Sequence, residues 1–125
     1  MKSIIKSNTA PAPIGPYSQA VMHNNTLYVS GQIAINASTG EMVTSNINAE
    51  TQMVMQNLQA VLQAAGMGFE NVLKCSIFLS DMSAFSDVNE VYANYFKINP
   101  PARETVAVKT LPKNVNVEIS CIAAK

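Results

Sequence analysis

Arg103 is the only arginine in this chain of 125 residues, and it follows the stiff run Pro100-Pro101-Ala102. Further on, Glu118 is the only acid in an otherwise uncharged segment, Val115 to Ala124. A guanidinium grips a carboxylate through two parallel hydrogen bonds, which a lysine ammonium cannot do. A carboxylate in turn can orient a water molecule and take its proton. The two residues therefore specify either a structural Arg103–Glu118 ion pair or a site for a small anionic substrate, and spacing alone leaves both open.

Other chemistry-bearing residues are sparse. Cys75 and Cys121 lie in separate apolar segments without a CxxC spacing, and are expected to be buried free thiols. His23 is the sole histidine, so a His-rich zinc site cannot be built within one chain, and neither a metal nor an organic cofactor is expected.

Composition bounds the rest. The length suits one domain spanning residues 1–125. Charged residues make up 13% of the chain, against roughly 25% in ordinary soluble domains, so part of the surface is expected to be covered by self-association. Formal net charge is zero and the eight basic residues are scattered, which argues against nucleic acid as a partner. No apolar stretch approaches the ~18–20 residues of a membrane span, and the start of the chain lacks a signal-peptide pattern. A cytoplasmic protein is the expectation.

The elements that must position Arg103 and Glu118 follow from periodicity. Ser3 to Ser7 reads as an edge strand. Ala10 to Pro16 carries three prolines, cannot hold a regular ladder, and forms a stiff loop delivering Tyr17 and Ser18. Ala20–His23 and Leu27–Ile33 flank Asn24-Asn25 as a hairpin, with Gly31 leaving room for a close approach. Asn48 is a candidate N-cap for a helix to about Ala65, closed by Gly66, with Val54, Leu58, Val61, Leu62 and Ala65 as its stripe. Val72–Leu79 alternates as a strand, and a second helix runs from about Ser83 to Phe96 with an aromatic core side. Strands at about Arg103–Lys109 and Val115–Ala123 flank a turn at Pro112-Lys113-Asn114. The order β-β-β-α-β-α-β-β predicts an α+β sandwich, a mixed sheet with both helices on one face. Alternation puts Val106 and Val108 on one face of their strand and Arg103, Thr105 and Ala107 on the other. With the valines toward the helices, Arg103 and Glu118 both emerge on the helix-free face.

Several motifs, in order and spacing, resemble the Rid (reactive-intermediate deaminase, YjgF-like) family across nearly the whole chain. They are Pro13-Ile14-Gly15-Pro16-Tyr17-Ser18-Gln19-Ala20, Ser30-Gly31-Gln32-Ile33, Val88-Asn89-Glu90-Val91-Tyr92, Pro100-Pro101-Ala102-Arg103, Leu111-Pro112 and Val117-Glu118-Ile119. The resemblance implies a chorismate-mutase-like fold with a six-stranded sheet, a homotrimer with clefts between subunits, and hydrolysis of 2-imino acids released by pyridoxal-phosphate dehydratases to 2-oxo acids. It implies that Arg103 holds the substrate carboxylate, that Glu118 positions the attacking water, and that Tyr17, Ser30 and Gly31 line the cleft. Asn89 matches a motif residue of structural character. Many catalytic members carry cysteine where this chain has Thr105; the backbone carbonyl there can still help hold water.

The chemistry also stands on the residues. A protonated imine is already electrophilic, so its hydrolysis needs a clamped carboxylate and a water held on one face of the C=N carbon. The rival readings are a 2-oxo-acid-binding regulator without turnover, and RNA cleavage, which neutral charge disfavours.

Overall fold

The structure is a computed structural model describing residues 1–125. Six strands, β1 (Lys2–Ile5), β2 (Ala20–His23), β3 (Thr26–Gln32), β4 (Val72–Leu79), β5 (Ala102–Ala107) and β6 (Val117–Ala124), form one sheet in the order β1-β2-β3-β6-β4-β5. All neighbours are antiparallel except β4 and β5, which run parallel at one edge. Helices α1 (Ile47–Ala64) and α2 (Phe85–Ala93) pack against each other, and α1 lies on the central strands β3 and β6. This is the mixed, six-stranded, chorismate-mutase-like α+β sandwich expected from the sequence.

Local chemistry fixes the ends of α1. Asn46, two residues before the expected cap, accepts a 2.8 Å hydrogen bond from Ala49 N–H. At the other end Gly66 adopts φ +72, while Gly66 N–H and Met67 N–H donate back to Gln63 and Leu62. That pair of bonds is a Schellman closure, and it needs a residue at ease in the left-handed region. Between the caps, Val54, Met55, Leu58, Val61 and Leu62 are fully buried against the sheet. Each such side chain contributes roughly 1.5–3 kcal/mol of burial. The second helix is shorter than its aromatic pattern implied: a 3₁₀ turn at Met82–Ala84 precedes it, and Tyr95 and Phe96 lie beyond its end.

The core sits between the helices and one sheet face, where Val117, Ile119, Cys121 and Ala123 of β6 alternate inward. Cys75 and Cys121 are free and buried, directly opposite each other on β4 and β6. Burial raises the pKa of both thiols, that of Cys121 to about 12, so they are packing groups at neutral pH. The other sheet face carries a cross-strand row of Ile4, Val21, Tyr28 and Ile122 with no helix over it.

One expectation fails. Arg103 pairs with Cys75 of β4, whereas Glu118 pairs with Phe78. Cys75 and Phe78 lie on opposite faces of their strand, so Arg103 is on the helix side and Glu118 on the helix-free side. Thr105 and Ala107 follow Arg103, while Val106 pairs with Phe78 and is 43% exposed. Of the two valines only Val108 packs, and on the other face: it joins Phe78 beside the small cluster of Ile33, Leu111 and Val115. Because β5 is an edge strand, the parallel register with β4 set its orientation, and both of its alternating faces contain apolar residues.

Candidate active site

A cavity of about 310 Å³ opens where the proline-rich loop crosses the bulged end of β3. Its wall brings together Tyr17, Ser30, Gly31 and Glu118, four of the six residues singled out from the sequence. Arg103 and Thr105 do not reach it, being on the far face of the sheet.

Each wall residue is held by an identifiable contact. The register of β3 against β6 slips between Val29 and Gln32, so one extra residue sits on β3 at Ser30-Gly31. Such a bulge re-aims the strand. Ser30 Oγ donates to the Ser18 carbonyl at 2.7 Å, and Ser30 N–H donates to the Gln19 carbonyl at 3.0 Å. Tyr17 stays 47% exposed, and its hydroxyl accepts from Ile14 N–H at 3.2 Å. Glu118 reaches across to Gly31 so closely that a Cβ there would lie 2.7 Å from the carboxylate carbon. The close approach expected at Gly31 is therefore made by the glutamate itself.

Glu118 is half-buried, and desolvation pushes its pKa above the ordinary carboxylate value with no hydrogen bond or cation pulling it back. A carboxylate in that state has free lone pairs and a raised proton affinity, the attributes of a general base. There is no Arg103–Glu118 ion pair within the chain. The Arg103 guanidinium instead lies 5.0 Å from the ring centre of Tyr92 and 5.6 Å from that of Phe85, on an exposed sheet edge. These cation–π contacts hold the side chain while leaving its donors without an acidic partner. Beneath it the Tyr92 hydroxyl and Thr105 Oγ1 are buried without hydrogen-bond partners.

Two supporting residues have no role assigned from the sequence, although Gln19 lies within one of its motifs. Gln19 is buried, and its amide ties Ser7, Ala10 and Pro11 to the start of the hairpin, fixing the loop that bears Tyr17. Asn57 of α1 donates to the carbonyls of Ile33 and Ile35, anchoring another part of the wall. The available signal was a polar residue inside an apolar pattern, Gln19 at the mouth of a strand and Asn57 beside the helix stripe.

The family model described as Endoribonuclease L-PSP matches residues 7–125. The chain belongs to this family, the Rid or YjgF-like proteins. It is 47% identical to a RutC family protein of Pyrococcus horikoshii over 100% of this chain and 99% of that protein. It is 42% identical to the human 2-iminobutanoate/2-iminopropanoate deaminase, covering 98% of this chain and 90% of the human protein. Among solved structures, Escherichia coli TdcF with bound serine superposes with a TM-score of 0.94 at 34% identity, over 98% of each chain. No helix is long and apolar enough to cross a membrane.

Proposed function

We propose that this Rid protein is a cytoplasmic hydrolase of 2-imino acids, working as a homotrimer whose sites lie between subunits. The observation that carries this reading is Glu118: unpaired, of raised pKa, and lying over a side-chain-free residue in a cavity. The cavity contains no cation, yet a 2-imino acid brings a carboxylate that must be held. Arg103 of a neighbouring copy supplies the fork, which explains why it sits unpaired on an exposed edge and away from its own Glu118. The helix-free row from Ile4 to Ile122 offers an apolar surface for such an assembly.

In the reaction, Glu118 accepts a proton from water as its oxygen bonds to C2 of the protonated imine, and the C=N π electrons return to nitrogen. The protonated Glu118 then gives that proton to nitrogen. The hydroxyl oxygen forms the carbonyl as the C–N bond breaks, releasing ammonia and the 2-oxo acid, while the hydroxyl proton passes to solvent. Positioning carries most of the advantage, since the imine is electrophilic before it binds. A regulator that only binds 2-oxo acids would have no use for the added negative charge of Glu118. RNA cleavage has less support, because a neutral chain lacks the basic footprint that phosphates require.

Subunit complementation tests both parts. Arg103→Lys and Glu118→Gln should each lose most imine hydrolysis as separate preparations, since lysine keeps the charge without the fork. Unfolded and refolded together, they should regain activity, because a head-to-tail ring then contains sites with both native residues. Loss without recovery on mixing would refute the shared cleft. Near wild-type turnover by Arg103→Lys would remove the clamp.

A further inference from the structure

The Glu118 cavity continues into a second one. Pro11, Ala12, Ile14 and Ile35 line both, so the two form a single groove, and the outer part measures about 330 Å³. Its far wall includes Met42, the open backbone of Gly40 and the side chain of Lys113. Along the entire groove only two residues carry charge, Glu118 in the inner part and Lys113 in the outer. Lys113 has no acidic partner, for the chain's single ion pair is Lys74–Glu104. Its backbone is also unusual: Lys113 and Asn114 take φ values of 56 and 54, in the left-handed region. Asn114 N–H to the Leu111 carbonyl and Val115 N–H to the Pro112 carbonyl hold that turn. Consecutive non-glycine residues there are strained, and strain of this kind concentrates at functional sites. The turn spans the junction, with Pro112 on the inner cavity and Lys113 on the outer.

We propose that the outer groove is a tail subsite in which Lys113 receives a terminal carboxylate, so that the site accepts 2-imino acids and 2-oxo acids bearing a second acid group on a short alkyl spacer. The inference rests on the imine-hydrolase reading of the inner cavity. The spacer lies along the apolar wall shared by the two cavities. The Arg103 fork of the neighbouring copy is filled by the carboxylate beside the imine, Glu118 repels a second carboxylate from the inner half, and Lys113 attracts it to the outer, so these charges set one orientation. A lysine suits this task because a point charge on a flexible stem tolerates spacers of different length.

The test uses the full-length protein and two imines, one with a plain alkyl side chain and one ending in a carboxylate. Lys113→Gln should raise the KM of the acid-ended imine relative to that of the alkyl imine by about 5-fold, the upper range for an exposed ion pair. Lys113→Arg should restore the ratio, and added salt should shrink it in the native protein. An unchanged ratio in Lys113→Gln overturns the subsite and leaves the hydrolase reading intact. If neither imine is hydrolysed, that reading falls, and calorimetry with 2-oxopentanedioate and 2-oxopentanoate decides the subsite alone. Tighter binding of the diacid that Lys113→Gln abolishes supports it; equal binding, or none, refutes it.

Discussion

Glu50 and Glu118 are both carboxylates held out of full solvent, and both belong to the same corner of the sheet. Glu50 is completely buried in the first turn of α1. Its oxygens accept from Asn116 N–H at 2.7 Å, Val117 N–H at 3.0 Å and the Asn116 amide at 2.8 Å. Those bonds pin the entry to β6, the strand that carries Glu118 on its other face. Glu118 itself has no such partners and faces a cavity. A carboxylate whose lone pairs are filled by the protein is a structural clamp, whereas one left unfilled beside a cavity is available to a substrate. Depth of burial alone would have ranked the two the other way.

The largest effect should come from the filled carboxylate. Glu50→Ala leaves the buried Val117 N–H and the part-buried Asn116 N–H and amide without their acceptor, and a hydrogen bond to a charged group contributes about 1.5–3 kcal/mol. We expect a loss of about 3 kcal/mol or more, read as a fall in Tm of roughly 10 °C for a chain of this size. A shift of only a degree or two would show that the helix and β6 are held by packing alone.

Much of this arrangement was legible beforehand. Element order, the turn at Asn24, the glycine closure of α1 and the inward alternation of β6 all follow from local rules, because each is set by neighbours in sequence. The position of Arg103 was not. Along β5 and the residue after it, the sets Val106/Val108 and Thr105/Ala107 are both apolar enough to face a core, and only pairing with β4 decides between them. Glu50 was hidden differently. It lies four residues before Val54, on the buried stripe of α1, but its partners are more than sixty residues away.

The unfilled carboxylate should behave in the opposite way. Glu118→Gln should lower imine hydrolysis about 10²-fold, the lower range of general-base contributions, while Tm holds or rises. The sign follows from the raised pKa. Folding favours the protonated form, so the charged form costs stability above the unfolded-state pKa, and that cost disappears as pH falls below it. The Tm advantage of Glu118→Gln should therefore be present at neutral pH and vanish in acid. In the native protein the acid limb of kcat, read with the Arg103 fork already occupied by the substrate carboxylate, should lie at a pH above that of an ordinary glutamate. A marked drop in Tm for Glu118→Gln at neutral pH would make Glu118 a structural group like Glu50, and the contrast would collapse.

The smallest change to the molecule isolates positioning from charge. A methyl group at Gly31 would lie 2.7 Å from the Glu118 carboxylate carbon and one of its oxygens, and 3.0 Å from Cγ. Those atoms end a flexible side chain, so Gly31→Ala should displace the carboxylate without disturbing the sheet. Gly31 has no positive φ to protect, and alanine restricts the unfolded chain, which stabilises by about 0.4–1 kcal/mol where the backbone is compatible. Stability should accordingly hold or rise, while imine hydrolysis falls roughly 10-fold, below the ~10² that an ångström of misplacement can cost. The double variant Gly31→Ala/Glu118→Gln decides the cause. If the alanine acts by moving the carboxylate, it should add little once that carboxylate is gone, because effects through a shared group are not additive. A full further 10-fold loss in the double variant would mean that Gly31 serves the substrate directly, through space or backbone, and that its closeness to Glu118 is incidental.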